Sequence, residues 1–275
     1  MSGLWEQRRV LVTVKAYPQL GRKVGESVCV AGIDLDCHTW IRLNPCDFRA
    51  LPEERLFDKY QVIELEVRKT PTDARPESFT PWLDTIRPVG RPLPAGEARS
   101  RRAIVLPLLR ESMCTVIREQ RERGTSLAVF RQIDPPEIVA EPQGADWESA
   151  KRMTLDQQPL IGTTRSPLEK LPYRFAFRYR CADPRCNGHD QTTVDWEIGQ
   201  AFRKFRGAYG EKGALQRVRE VWSGMWAPDR EPHLYTGSMA RHPESFLMLG
   251  VFWPRRLATD VESGSPVQVE LPLQR

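Results

Sequence analysis

The chain has 275 residues, 40% hydrophobic and 28% charged, with a formal net charge of +5. That length accommodates one large or two modest domains, and the composition is that of a globular protein with a real core, which excludes a disordered chain. The eight Trp, ten Phe and six Tyr alongside an excess of Lys and Arg form a palette suited to phosphate contacts and base stacking, though a basic surface over an aromatic core has the same composition. At the N-terminus, charges interrupt MSGLWEQRRVLVTV before any apolar run is long enough for a secretory leader, and no stretch approaches the roughly 20 apolar residues of a membrane span. The six cysteines are irregularly spaced in a long chain, so free thiols or metal ligands in a reducing compartment are expected, and the location expected is cytoplasmic.

The first module, residues 1–85, reads as a small barrel. Strands are expected over Arg9 to Tyr17, Glu26 to Ile33 and Thr39 to Leu43. Another is expected over Tyr60 to Lys69, where Ile63, Leu65 and Val67 alternate with Glu64, Glu66 and Arg68. Trp40 and Arg42 share a strand face, near Lys15 and Tyr17 in sequence. They read either as a platform for stacking and phosphate contact or as a barrel cap beside a solvated arginine. Arg75, in a Pro- and Thr-rich segment, makes either a ligand contact or a loop ion pair.

Residues 86–166 read as connector. Ile86 to Arg102 holds three Pro, two Gly and five Arg without periodicity, as an exposed linker does. Leu106, Leu109, Met113, Val116 and Ile117 then recur at helical spacing up to Gly124, which is an amphipathic helix with a glycine stop. Short strands are expected within Ser126 to Ile133 and Glu137 to Val139. A polar boundary follows over Gln143 to Pro167.

The second module, residues 167–257, opens with a strand whose Tyr173, Phe175, Phe177 and Tyr179 alternate with Arg174, Ala176, Arg178 and Arg180. Its arginines are expected on the outer face, against phosphates. Cys181, Cys186 and His189 follow within nine residues, in a loop that also holds Pro184 and Gly188. Three such donors point to a structural zinc that needs a fourth, with His242 favoured and His233, His38, Cys46 or Asp183 as alternatives. Two buried thiols beside a surface histidine are the simpler reading. Thr193, Asp195 and Glu197 mark a helix start with acids in its first turn. A second amphipathic helix over Leu215 to Trp226 and two strands, His233 to Ala240 and Ser245 to Trp253, complete the module. Residues 258–275 form a tail in which Val267 to Leu273 is a candidate edge strand.

A metal-dependent nuclease would draw on His189, Asp190, Asp195 and Glu197. At 100° per residue, however, Asp195 and Glu197 lie about 200° apart on a helix and would not share one ion. No phosphate-binding glycine loop, H-E-x-x-H or nucleophile-elbow motif occurs.

Several segments together, VLVTVKAYP at 10–18, WIRLNP at 40–45, KYQVIELEV at 59–67, RPES at 75–78, FRYRCADPRCNGHDQTTVDWE at 177–197 and HPESFLMLGVFWP at 242–254, resemble an uncharacterised prokaryotic family of dual OB-containing domains. The resemblance implies two small barrels and, by analogy with oligonucleotide-binding barrels, single-stranded nucleic acid as ligand, with a part in prokaryotic defence as a further implication. The expectation is therefore an α+β, β-rich protein of two OB-like barrels with inserted amphipathic helices. It would bind DNA or RNA through Lys15, Trp40, Arg42, Arg75, Arg174, Arg178 and Arg180 without performing chemistry. The rival expectations are a nuclease and a protein-interaction module of a multi-component system.

Overall fold

A computed structural model describes residues 4–21, 25–149 and 168–257. The first module is built on β1 (Glu6–Lys15), a hairpin β2 (Gln19–Gly21) and β3 (Gly25–Ser27), β4 (Val30–Asp34), β5 (Thr39–Leu43), β6 (Val62–Lys69), β7 (Ser78–Pro81) and β8 (Arg87–Val89). The sheet order is β1-β4-β5-β7-β6, and β1 pairs again with β6, so five strands close on themselves. All pairs are antiparallel except β5 with β7. This closed barrel fits the OB-like expectation. Closure removes the exposed edges that an open sheet would leave.

The alternation read from the sequence is what lets the barrel close. Ile63, Leu65 and Val67 of β6 are buried and pack inward with Val10, Val12, Ile41 and Leu43. β1 and β4 are buried on both faces. Their other face, with Leu11, Ala31 and Ile33, joins Trp40 of β5 and packs against Leu127, Val129, Tyr235, Leu249 and Phe252 of the second module. The outer surface of β4 and β5, the face an OB-like barrel would offer to a ligand, is thus covered by protein.

The segment expected as an exposed linker is partly structured. Residues 98–105 form α1 (Ala98–Val105), and Ile86 is buried. Arg101 lies over the Tyr60 ring at 3.7 Å, and Arg102 pairs with Glu231. Arginines without helical periodicity could still order because aromatic and acidic partners from distant elements meet them.

The second module holds β9 (Leu109–Arg110), α2 (Met113–Arg123), β10 (Leu127–Phe130), β11 (Glu137–Pro142), β12 (Tyr173–Tyr179), β13 (His189–Thr192), α3 (Trp196–Ser223), β14 (His233–Ser238) and β15 (Phe246–Phe252). α2 starts later than the apolar spacing predicts because Ser112 caps it: the Thr115 N–H donates to Ser112 Oγ at 3.0 Å. It ends where expected, at Gly124 with φ 76°. α3 is broken at Gly210, whose φ of 68° only glycine adopts without strain. Two sheets form, β15-β14-β10-β9 and β11-β12-β13. Isolated bridges join them, Gln132 with Cys181 and, in parallel, Thr193 with Met248. Phe130, Phe175, Phe177, Phe202, Trp222 and Met248 fill the space between them. The polar stretch taken as a boundary lies largely outside the described residues, as does the candidate edge strand over Val267 to Leu273. Among the described residues no helix is long and apolar enough to cross a membrane.

Candidate metal centre

Four side chains from three parts of the chain converge at one end of α2. Cys114 is the second residue of α2, Cys181 follows β12, Cys186 lies in the loop after it, and His189 opens β13. Their sulfur and ring-nitrogen atoms all lie within 4.8 Å of one another. Cys114 Sγ is 3.5 Å from Cys181 Sγ and 3.7 Å from His189 Nε2. A tetrahedral ion with metal–sulfur bonds of about 2.3 Å needs sulfurs about 3.8 Å apart, so the spacing suits one ion at the centre. This group could hold a metal.

The loop is built for ligands rather than for packing alone. Its turn is closed by the Cys186 N–H donating to the Asp183 carbonyl at 2.9 Å. Gly188, at φ 99°, lets its own N–H reach Cys186 Sγ at 3.3 Å, and the Cys181 N–H reaches the same sulfur at 3.5 Å. These two amide donors fix the position of the Cys186 sulfur in the loop. Burial opposes ionisation of Cys181, but backbone N–H donors and the neighbouring His189 and Cys186 outweigh it and bring its pKa down to about 6. Burial and the adjacent sulfurs push Cys114 up to about 12. One thiolate among crowded thiols is the state a cation would relieve.

The fourth member of the group is Cys114 rather than the favoured His242. His242 is exposed in the turn between β14 and β15 and stands outside the group. The alternatives are placed elsewhere too. His233 is buried against Phe252, His38 Nε2 meets the Ile104 carbonyl at 2.9 Å, and Cys46 belongs to the first barrel's core. Asp183 sits in the loop, but its carboxylate takes Arg118 at 2.8 Å and the Arg185 N–H at 2.9 Å. Cys114 lies 67 residues before Cys181, and only the docking of α2 beside β12 brings it close.

The residues expected to meet nucleic acid are distributed differently. Trp40 and Arg42 are buried in the seam between the modules, Trp40 edge-on to Tyr235 at 6.0 Å and Arg42 only 2% exposed. They form no open platform, because the second module covers that face. Lys15 donates to the Phe57 carbonyl at 2.8 Å and lies over the Phe48 ring. Arg75 is held by Asp73 at 2.6 Å and donates to the Ser238 carbonyl. On β12 the rings of Phe175, Phe177 and Tyr179 are buried while Arg178 and Arg180 are exposed, so the alternation holds. Arg174 pairs with Glu141, and Arg178 with Asp190 at 2.7 Å and Glu141 at 3.4 Å. Arg180 donates to the Cys186 carbonyl at 2.9 Å, tying the strand to the metal loop.

Asp195 and Glu197 do meet a common cation. Asp195 is the N-cap of α3, with extended backbone and its Oδ1 accepting from the Glu197 N–H, so it lies outside the helical 100° progression. The cation is Lys59, whose Nζ is 2.6 Å from Glu197 Oε2 and whose charge Asp195 also feels.

A cluster the sequence reading missed lies at the barrel's rim. Trp5, just before β1, and Trp82, just after β7, are 37% and 44% exposed with ring centroids 5.4 Å apart. The Arg68 guanidinium of β6 lies 4.8 Å from the Trp5 ring centre. The three residues are far apart in sequence and belong to no periodic pattern that would have linked them.

Two family models match end to end. Residues 109–269 match a domain of unknown function, DUF8757, and residues 6–107 match another, DUF8758. The chain belongs to the DUF8757 family. No curated protein matches it. The boundary between the two matched regions follows α1, and all four metal-centre donors of this DUF8757 member fall within the DUF8757 region.

Proposed function

We propose that this protein binds single-stranded DNA or RNA as a zinc-stapled tandem of OB-like barrels and performs no chemistry of its own. The observation that carries the reading is the exposed Trp5–Trp82 pair with Arg68 against it. Paired rings beside a guanidinium offer a stacking surface and a phosphate contact together, and this patch lies apart from the face that the second module covers. The arginines of β12 are secondary. Their acid partners are 41% and 43% exposed, and ion pairs that open to water are weak enough for phosphates to displace.

The second module supports the tandem reading. Taken through its two bridges, its strands run β10-β12-β13-β15-β14 and back to β10. That repeats the first barrel's order, with the third and fifth strands again the parallel pair, and α3 falls between the third and fourth. The metal centre suits zinc in a structural role, since three cysteines and a histidine complete a tetrahedron and leave no open position for substrate.

The nuclease reading draws little from Asp195 and Glu197, whose shared cation is already Lys59. A protein partner is the second reading, because exposed Trp and Arg also make interface hot spots. Anisotropy of labelled oligothymidylate and oligouridylate across a salt series separates the two. Binding at low salt that weakens steeply as salt rises is expected. The Trp5→Ala/Trp82→Ala variant should lose about tenfold or more, since one stacked base contributes about 1–3 kcal/mol. Absence of binding at low salt ends the proposal, and binding unchanged in the double variant assigns the patch to a protein partner.

A further inference from the structure

Where the second module leaves the face of β4 and β5, a cavity of about 280 Å³ remains, at the small end for ligand sites. Arg42 lines it, and its guanidinium touches neutral oxygens and the Cys29 thiol. Nη1 donates to Ser126 Oγ at 2.9 Å and Ser78 Oγ at 3.4 Å, and Nη2 to the Ser126 carbonyl at 2.9 Å. Among the described residues no carboxylate lies within ion-pair distance of Arg42. Glu77, the obvious candidate, has both oxygens on Ser126, accepting from its N–H at 2.9 Å and its hydroxyl at 2.6 Å. A second guanidinium, Arg75, lines the same cavity but is clasped by Asp73 through three of its nitrogen–oxygen contacts. Burial and the nearby Arg75 weigh against the Arg42 charge, and Cys29, Glu77 and Asp73 offset this only in part, so its pKa is lowered. A buried cation without a contacting anion is costly, and burying it only 2% exposed makes sense where something else completes it.

The rest of the wall is different in kind. Tyr17, Leu247 and Leu249 make it mainly apolar, Asn44 adds one amide beside Arg42, and Met239, 38% exposed, stands at the mouth. We propose that this cavity binds a small organic carboxylate, its carboxyl group held by Arg42 and Asn44 and its apolar body on Tyr17, Leu247 and Leu249. One guanidinium free of a carboxylate matches one negative charge. A phosphate dianion would call on Arg75 as well, and Asp73 already occupies it. This site is independent of the nucleic-acid reading, lying in the seam rather than at the tryptophan rim.

The test is thermal unfolding of the full chain with straight-chain carboxylates from propionate to decanoate, against the matching primary alcohols and amines. Carboxylates of intermediate length should raise the midpoint by about 3–6 °C at tenfold excess over Kd, and alcohols and amines should not. The same carboxylates should slow N-ethylmaleimide modification of Cys29, which lines the cavity, without slowing that of exposed Cys37. Arg42→Gln should abolish the shift. Because that variant risks misfolding, Met239→Trp, at the exposed mouth, should fold and lose the shift too. No carboxylate effect, an equal alcohol effect, or a shift that survives Met239→Trp overturns the proposal.

Discussion

Two buried titratable side chains pull stability in opposite directions with pH. Asp195 is buried, and desolvation pushes its pKa from 3.8 up to about 7, against the pull of Lys59 and of the helix N–H it caps. The folded state therefore holds that proton more tightly than the unfolded chain, and stability falls as pH rises from about 4 to 7. His233 is 1% exposed, stacked on Phe252, and burial lowers its pKa from 6.5 to about 4. Here the unfolded chain takes the proton first, so stability falls as pH drops from 6.5 towards 4. In the window they share the two slopes oppose, each at most about 1.4 kcal/mol per pH unit. Urea midpoints of Asp195→Asn should rise relative to the parent as pH increases from 4 to 7, because asparagine keeps the cap but not the titration. Midpoints of His233→Phe should fall relative to the parent over pH 4 to 6.5, as pH rises. A difference curve flat in either case removes that residue from the account.

At the scale of elements, an ion held by Cys114, Cys181, Cys186 and His189 would staple α2 to the β12–β13 hairpin. Cys114→Ser should lower metal content from one ion per chain towards none. It should also reduce the unfolding midpoint by more than the about 2–4 °C that a 1 kcal/mol change causes in a chain of about this size. His242→Ala should leave both unchanged, and equal metal loss in the two variants would return His242 to the site. What was legible at this scale follows the reach of local pattern. Alternation was sufficient for β6 and β12, where the period of two survives in the sequence, and for β15 a continuous apolar run was sufficient, because that strand is buried on both faces. Cys181, Cys186 and His189 were legible as candidate ligands because one tight loop carries them. Cys114 was not, since a helix cysteine beside Met113 reads as core until tertiary packing turns it towards the loop. Trp5 and Trp82 were invisible for the same reason: barrel closure, which pairs β1 with β6 and β6 with β7, is what brings the strand ends together. Arg42 was read as surface because arginine is seldom buried, and the partner that covers it, Ser126, lies 84 positions away.

The whole molecule turns on that covered face. Leu11, Ile33 and Trp40 of the first barrel meet Leu127, Val129, Tyr235 and Phe252 of the second module in one continuous apolar layer, with Ile104 and Val105 of α1 closing its side. Each such side chain, fully buried, contributes about 1.5–3 kcal/mol relative to leaving it in water, so the layer outweighs the few kcal/mol by which a small barrel is stable alone. Polar contacts lock the same seam: Arg42 to Ser126, Arg75 to the Ser238 carbonyl, and the Tyr60 hydroxyl to that of Tyr235 at 3.3 Å. The two matched regions should therefore behave as one cooperative unit despite their separate family models. Expressed alone, residues 1–107 should bind the dye ANS and self-associate on size exclusion, because the face of β4 and β5 would stand open to water. Co-expressed with residues 108–275, they should elute as a one-to-one complex with little dye binding. Trp40→Ala in the full chain, with the loss of about 3–5 kcal/mol typical of a large buried ring, should move the urea transition as a single step. A first module that stays monomeric and dye-silent by itself, or a Trp40→Ala transition that splits in two, would mean that the modules are stable separately and that the seam adds little.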